Sequence, residues 1–564
     1  MSTEYKAWPY REANSILEKL EREQKAGLKR KSERVILETG YGPSGFPHVG
    51  TFSEVARTDY VRQALDALSD HDDALLYAFS DDMDGMRGIG LGMPHETLSE
   101  HLGKPLSDVP DPFGEHESFA AHMNAKLCSF LDAFGFDYEF KSSAEQYRSG
   151  VFDEGLTRIV EHYDAIRERC IKELREENAE TWSPFLPTCE HCGRNTTTRV
   201  TGVHTEDATV SYTCDGRFNA KILSWEEMDR AKMKQAKKDS PPYWELKTRV
   251  QGCGHSGRIP VTGGGLKVGW KVDWALRWYT FGVDYEMYGK DLIESATVAA
   301  DLVRIMGGEP PVGMVYEWFN DENNQSISKS KGNGVTVETW LEYGPVESLG
   351  WFVYQSPEKS KKLFTAKIAQ ATDQFLKDRA RYGVEEEADR VNNPIHFIEQ
   401  ARIAEHGQVG YASDLTFGTL MNMVGVLGTD DPAVVWEMVE RYDEDASKNR
   451  ELIHDMIRCA LAQVRDFGEE VRYEAPPEEF GPALEVFLGY LRSGEAHGET
   501  AEEIQNRAYA AAKDLELPLG GWFKAMYRLL LGQDRGPRLG TFVSLYGVDE
   551  SVALIESRLA ELAY

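Results

Sequence analysis

No segment of this 564-residue sequence carries the run of about 20 apolar residues that a membrane-spanning helix needs. The opening stretch, Met1 to Gln24, is polar and charged, and reads as neither a secretory signal nor a transit peptide. The closing Glu561-Leu-Ala-Tyr564 has no lipid-attachment pattern. Cysteine is scarce: seven residues, an odd number in a long chain, which argues against a disulfide framework and for reduced thiols or metal ligands. A cytoplasmic protein is the expectation. Basic residues are outnumbered, 63 Lys and Arg against 94 Asp and Glu, for a formal charge of −31. Such a surface keeps the protein in solution and repels polyanions at long range, so any nucleic-acid partner must be met by local basic patches. Fixed-period repeats and long low-complexity tracts are also missing. What is present is an ordinary globular composition, 41% hydrophobic and 28% charged, in a chain long enough for three or four folding units.

The first half alternates strand-like and helix-like patterns, as in a parallel α/β sheet. Val35-Ile-Leu37 reads as a buried strand, Gly40 to Gly50 as a glycine- and proline-rich turn, and Thr51 to Leu68 as a helix. A second strand is expected at Ala74 to Phe79, ending in the acidic turn Ser80-Asp-Asp-Met-Asp84. From Pro94 to Gly257 the pattern changes to polar helices and a cysteine-bearing segment, which looks like an insertion. Within it, the lysine-rich stretch Lys221 to Lys247 reads as a surface excursion. Strand signals return at Val283 to Tyr288 and Val312 to Phe319. After Val346 the sequence is mostly helical, with breaks at Pro432, Pro476-Pro477 and Pro518.

Two motifs carry chemistry together. Gly40-Tyr-Gly-Pro-Ser-Gly-Phe-Pro-His48-Val-Gly50-Thr-Phe52 joins a strand to a helix, where glycines permit close backbone approach and a helix N-terminus offers N–H groups to phosphate. His48 stands at that mouth. Ser326-Ile-Ser328-Lys329-Ser330-Lys331-Gly332-Asn333 combines cations and hydroxyls in one loop able to close on a polyphosphate. Either alone also fits a plain turn or a solvated basic loop. A third constellation is Cys189-Glu-His-Cys192-Gly, then Cys214 and Cys253-Gly-His255, a spacing that fits a tetrahedral zinc site, with His191 and His255 as alternative ligands. Unmetallated core thiols would leave the same residues. The acids Asp81, Asp82 and Asp84 end a strand where a substrate crevice is expected, and suit an ammonium group, Mg²⁺ or a solvated turn equally.

The motif pair, in this order, resembles the HIGH and KMSKS signatures of class I aminoacyl-tRNA synthetases. Thr51 stands for the last histidine of the first signature, and Ser326 for the first lysine of the second. The resemblance implies a Rossmann-type fold that forms an aminoacyl-adenylate from ATP and passes the acyl group to tRNA. It places His48, Lys329 and Lys331 in catalysis, and Pro43, Ser44, Gly45, His48, Gly50, Thr51, Ser328, Lys329, Ser330 and Lys331 around ATP. Further stretches resemble the class I lysyl enzymes in particular: Glu38 to Gly45, Ser80 to Asp84, Asp111 to Ser118, Trp270 to Trp278, Gly289-Lys-Asp291, Met314 to Glu317, and Gly532 to Gly540. By that resemblance Gly40, Trp274 and Tyr316 line a lysine pocket, with Gly42 and Asp81 beside them. Gly42 stands where those enzymes have serine or threonine, and Leu292 where they have histidine. The resemblance also suggests a second zinc at Asp111, Glu115, His116 and His122, with Glu115 in place of a cysteine. A polar helix start, its acids near the N-terminus, accounts for the same residues.

The expected architecture is therefore an α/β Rossmann-type catalytic domain at 1–93 and 258–335, split by a zinc-bearing insertion at 94–257. A linking domain at 336–385 follows, and then an all-α helix-cage domain at 386–564 that binds the anticodon. ATP, Mg²⁺ and Zn²⁺ are the expected cofactors. The partners are lysine and its tRNA. Two alternatives stand beside this reading: a glutamyl-type class I synthetase, and an inactive tRNA-binding paralogue.

Overall fold

Val35, Ile36 and Leu37 are all buried, and from Ile36 the chain runs extended as β1 (Ile36–Tyr41) in a computed structural model of the protein. The structure describes residues 4–562 apart from 70–72, 173, 175–178, 225–243, 326, 328–334, 408, 468–472, 533, 535 and 537. Helix α1 (Trp8–Ala26) precedes β1, and α2 (Val49–Leu68) follows it and packs on α1. Next come β2 (Leu75–Ser80), α3 (Phe119–Ala133) and β3 (Glu139–Ser142), then α4 (Trp270–Phe281) and β4 (Tyr285–Glu286). The four strands form one parallel sheet in the order β4-β1-β2-β3. A strand buried on both faces reads as a near-continuous apolar run, which is why the sequence marks β1 and β2 clearly.

The chain steps outward from β1 to β2 to β3, then returns to the other side of β1 as β4. Strand order thus reverses between β1 and β4. In open α/β sheets such a switch point leaves a crevice beyond the carboxyl ends of the strands. Gly40, Tyr41 and Gly42 lie at that end of β1. A buried ion pair fixes the opposite end: Lys19 of α1 reaches Asp284 at 2.8 Å and Glu23 at 2.6 Å, and Asp284 also accepts from the Ile36 N–H at 3.1 Å.

β3 lies inside the stretch expected to be an insertion, so the sheet layer extends past residue 93. Its sequence, Glu-Phe-Lys-Ser, has a single apolar side chain and gives no strand signal of its own. The stretch Lys221 to Lys247, read as a surface excursion, begins and ends in strands. Arg217–Ser224 and Trp244–Gln251 pair antiparallel along their length, and the first of them pairs parallel with Gly88–Ile89. A three-stranded antiparallel sheet, Arg199–His204, Thr209–Thr213 and Ser256–Pro260, carries the cysteine-bearing segment.

Contacts divide the chain into two units, one of Met1–Val337, Gly350–Phe364 and Glu387–Ala401, the other of Glu338–Leu349, Thr365–Glu386 and Arg402–Tyr564. Residues 350–364 and 387–401 thus join the α/β unit, where a boundary at 336 and another at 386 were expected. The reason is packing on α2: Arg57 Nε donates to the Val353 carbonyl at 3.0 Å, Tyr60 Oη to that of Gly350 at 3.3 Å, and the Tyr60 and Phe397 rings meet. The second unit is helical, with Trp522, Phe487 and Met526 in its core. Pro432 begins the helix Pro432–Tyr442, and Pro518 immediately precedes Leu519–Leu531, so the prolines read as breaks sit where helices start.

Candidate active site

The turn after β1 is built around His48. It is the N-cap of α2, and its Nδ1 accepts from the Thr51 N–H at 3.1 Å. In the neutral ring the proton is then on Nε2, leaving an N–H donor on the far edge. Glycine at position 50 is a steric requirement, since a β-carbon there would stand 2.6 Å from His48 Cε1. The His-x-Gly spacing thus lets the imidazole fold back over the helix mouth. Tyr41 Oη donates to the Gly45 carbonyl at 3.3 Å and ties down the Pro43–Ser44–Gly45 segment.

Two cavities meet at this turn. The smaller, of about 410 Å³, is lined by Gly40, Gly42, His48, Gly50, Thr51 and Tyr316, with Glu54 and Leu292. The larger, of about 1070 Å³, takes in Gly42, Ser44, Gly45 and His48, and extends to Asp84, Arg87, Lys267 and Trp270. Ile327, in the second signature motif, lines both. Ser328, Lys329, Ser330 and Lys331 lie outside the described residues. Among the described residues, a β-carbon on Gly42 would meet nothing within 4 Å, so a larger residue would fit there. Tyr316 Oη donates to Glu54, and its ring lies under the buried Arg57 guanidinium, 5.4 Å from the ring centre.

Beneath Gly40 is a buried ionic cluster that the sequence did not announce. Arg277 of α4 is fully buried, with Glu38 at 3.1 Å and Asp81 at 2.8 Å. Glu286 faces Glu38 across the β1–β4 register and accepts on Oε2 from the indole N–H groups of Trp274, at 2.8 Å, and of Trp278. Lys267 is buried against Asp84 and lies 3.7 Å from Asp273. Burial, only partly offset by Arg277, pushes Asp81 up to about 7 and Glu38 well above the carboxylate range. Burial likewise raises Glu286, against the pull of Arg277 and the two indoles. Asp81 is turned to Arg277 and lines neither cavity. Asp82 is taken up by Ser142, the Ala144 N–H and Asn124, a structural role. Of the three acids at this strand end, Asp84 faces the larger cavity.

Cys189, Cys192, Cys214 and Cys253 converge, all four sulfurs within 4.8 Å of one another. Their nearest pairs are 3.6 Å (Cys189–Cys253) and 3.7 Å (Cys192–Cys214), too long for disulfides and suited to a shared tetrahedral ion. His191 and His255 flank this group without joining it. The cysteine turn also supports the larger cavity: Asn195 Nδ2 donates to the Met83 carbonyl at 3.1 Å, and Asn195, Thr196 and Thr198 form part of the wall. In the other constellation, Glu115, His116 and His122 present donor atoms within 4.8 Å of one another. Asp111 holds the turn instead, accepting from the N–H groups of Phe113, Glu115 and His116 at 3.1, 2.8 and 2.8 Å, and lies 3.3 Å from His122 Nδ1.

Glu286, Arg277, Glu54 and Lys267 were not singled out from sequence. One signal for the first was available: Trp270, Trp274 and Trp278 recur every four residues, which sets three indoles on one helix face, and buried indole N–H groups need acceptors.

The chain is similar to known proteins along its length. The family described as tRNA synthetases class I (K) matches residues 6–402. A lysine--tRNA ligase of Rickettsia felis is 38% identical over 562 residues, 98% of this chain and 97% of its own. One from Roseobacter denitrificans is 39% identical over 566 residues, 98% of this chain and 97% of its own. A solved glutamate tRNA ligase from Elizabethkingia meningosepticum aligns with 94% of this chain and all of its own at 12% identity and a TM-score of 0.39. With the two signature positions in order, a family match over more than half its length and relatives matched from end to end, the chain belongs to the class I tRNA synthetases of the (K) family.

Proposed function

We propose that this protein attaches lysine to its tRNA through a lysyl-adenylate, using ATP as its Mg²⁺ complex, in the cytoplasm. The observation that carries this reading is its end-to-end similarity to relatives named lysine--tRNA ligase. In the first step the lysine carboxylate attacks the α-phosphate of ATP and pyrophosphate leaves. His48 Nε2–H and the N–H groups at the start of α2 are donors for the charge that develops on the phosphate oxygens. Lys329 and Lys331 supply positive charge to the phosphates. Pro43, Ser44 and Gly45 shape the approach, Gly40, Gly42 and Tyr316 surround the amino acid, and Trp274, buried and lining neither cavity, supports the pocket from behind. Asp81 acts through Arg277 beneath the pocket. In the second step a terminal ribose hydroxyl of tRNA takes the acyl group and AMP leaves.

The four thiols fit a structural zinc, which would be held by Cys189, Cys192, Cys214 and Cys253 and brace the wall near Asn195. Glu115, His116 and His122 offer three ligands to a second ion. The helical unit serves as the anticodon-binding domain.

A glutamate-specific site would present cations to an anionic side chain. Here five carboxylates, Glu38, Asp81, Asp84, Asp273 and Glu286, gather around two cations, Arg277 and Lys267. The deciding experiment is ATP–pyrophosphate exchange against all amino acids, followed by charging of total tRNA. Lysine alone should support both. Exchange with glutamate instead, or tRNA binding without charging, would overturn the reading.

A further inference from the structure

We infer that Glu286 is a specificity-determining residue of this site, the acceptor for the side-chain ammonium of the substrate; this rests on the lysine reading above. Glu286 is 3% exposed and lies on β4, directly across the switch point from Glu38. One of its oxygens, Oε2, takes both indole hydrogen bonds, from Trp274 and Trp278. The other, Oε1, is turned towards Gly40: a β-carbon on Gly40 would stand 3.8 Å from it. Among the described residues none donates to Oε1. Gly40 in turn lines the smaller cavity, and Glu286, which lines neither cavity, lies directly behind it.

Charge points the same way. Arg277 Nη2 also faces the space over Gly40, at 3.7 Å, but that guanidinium already compensates Glu38 and Asp81. Lys267 is held by Asp84 and Asp273. Glu286 shares that one guanidinium with Glu38 and Asp81, so the three carboxylates together outnumber it. A buried ion needs a counter-ion, and a substrate cation completes the set, whereas a neutral or anionic side chain would leave the surplus in place. The indole that holds Oε2 is itself fixed by packing: Trp274 stacks on Trp270, which lines the larger cavity, at 5.1 Å and meets Tyr288 edge-on at 5.6 Å. The two indole N–H groups fix the carboxylate so that Oε1 is presented without reorganisation.

The test compares lysine with norleucine, which has the same chain ending in a methyl group, in the full-length protein. The KM for lysine is measured in ATP–pyrophosphate exchange, and norleucine's inhibition constant in the same assay. In Glu286→Gln we expect kcat/KM for lysine to fall about 10- to 100-fold, mostly through KM, because one charge-assisted bond is lost. Norleucine inhibition should change less than about threefold, so discrimination between the two collapses. Equal loss for both ligands, or an unchanged ratio, overturns the assignment. If the glutamine variant does not fold, judged by circular dichroism and Tm, Glu286→Asp carries the test. Withdrawing the carboxylate by one methylene should cost lysine more than norleucine, and parallel losses again overturn it. A wild-type protein that activates no lysine sinks the underlying reading, whereas active wild type with intact discrimination in the variant sinks only the role of Glu286.

Discussion

His48 and Gly50 form one steric unit: the imidazole of the first occupies the space that a side chain on the second would need, 2.6 Å from the β-carbon position. The same imidazole caps α2 through Nδ1. Two roles are therefore superposed on His48, and substitutions can separate them. Replacing an N-cap by alanine costs about 0.5–2 kcal/mol, whereas asparagine is a good cap. His48→Ala should lose both stability and adenylate formation. His48→Asn should keep its Tm within a few degrees yet lose kcat and kcat/KM together, as expected for a contact made mainly in the transition state. Gly50→Ala should displace the ring and resemble His48→Ala in rate. An asparagine variant with wild-type kcat would remove His48 from the chemistry.

Lys329→Ala and Lys331→Ala should each slow pyrophosphate exchange by about 10²–10³-fold, the usual cost of losing one donor to a developing oxyanion. Lysine binding, measured without ATP by calorimetry, should be unchanged, because the proposed task of both lysines is the phosphates. If the double variant exchanges pyrophosphate at the wild-type rate, the loop is a solvated basic turn and nothing more.

How much of this could be read from the sequence depends on how each feature is encoded. β1 and α2 were legible because a buried aliphatic run, a glycine-rich turn and a helical periodicity follow one another within about 30 residues. β3 was not, because an edge strand with one apolar residue in four carries no period. The cysteine quartet was legible as a cluster, with His255 outside it, since thiols have few other reasons to recur at such spacing. Asp111 stayed open between ligand and helix start because sequence does not distinguish a carboxylate aimed at a metal from one that closes a turn onto its own backbone, as Asp111 does here. The ionic cluster under Gly40 was invisible for a related reason. Glu38 lies far along the chain from Arg277 and Glu286, and only the parallel register of β1 and β4 brings them together.

That cluster sets the pH dependence. The Asp81 carboxyl titrates near 7 in the folded protein, against about 4 in an unfolded chain. Between those values the folded state holds the extra proton, so this group's contribution makes the protein less stable as pH rises from about 4 to 7. Lysine should behave in the opposite sense. A neutral Asp81 leaves Arg277 less compensated beside Lys267, Asp84 and Asp273, which disfavours a further cation. Lysine affinity, measured by calorimetry from pH 6 to 8, should therefore tighten by up to about tenfold per pH unit below 7 and level off above it. Asp81→Asn should flatten the profile. A flat profile in the wild-type protein would show that Asp81 does not sense the bound ammonium.

The cysteine site makes the last prediction. Four sulfurs within 4.8 Å, with Cys214 pushed up to about 12 by burial, form a poor arrangement of free thiols and a good one for a divalent ion that takes thiolates. Purified protein should hold at least one equivalent of zinc by elemental analysis. Cys189→Ser and Cys214→Ser should each remove it, lower Tm, and open the antiparallel sheet around Thr209–Thr213 to protease. The wall formed by Asn195, Thr196 and Thr198 should loosen with it, because Asn195 is pinned to Met83 from the same turn. Charging of tRNA should then fall further than lysine activation, since that wall borders the larger cavity and not the smaller one. A second equivalent, lost in His116→Ala and His122→Ala, would show that Glu115, His116 and His122 hold an ion as well. One equivalent indifferent to those changes would make that cluster a turn stabilised by Asp111. Protein without stoichiometric metal and with wild-type Tm would make the four cysteines a core of reduced thiols.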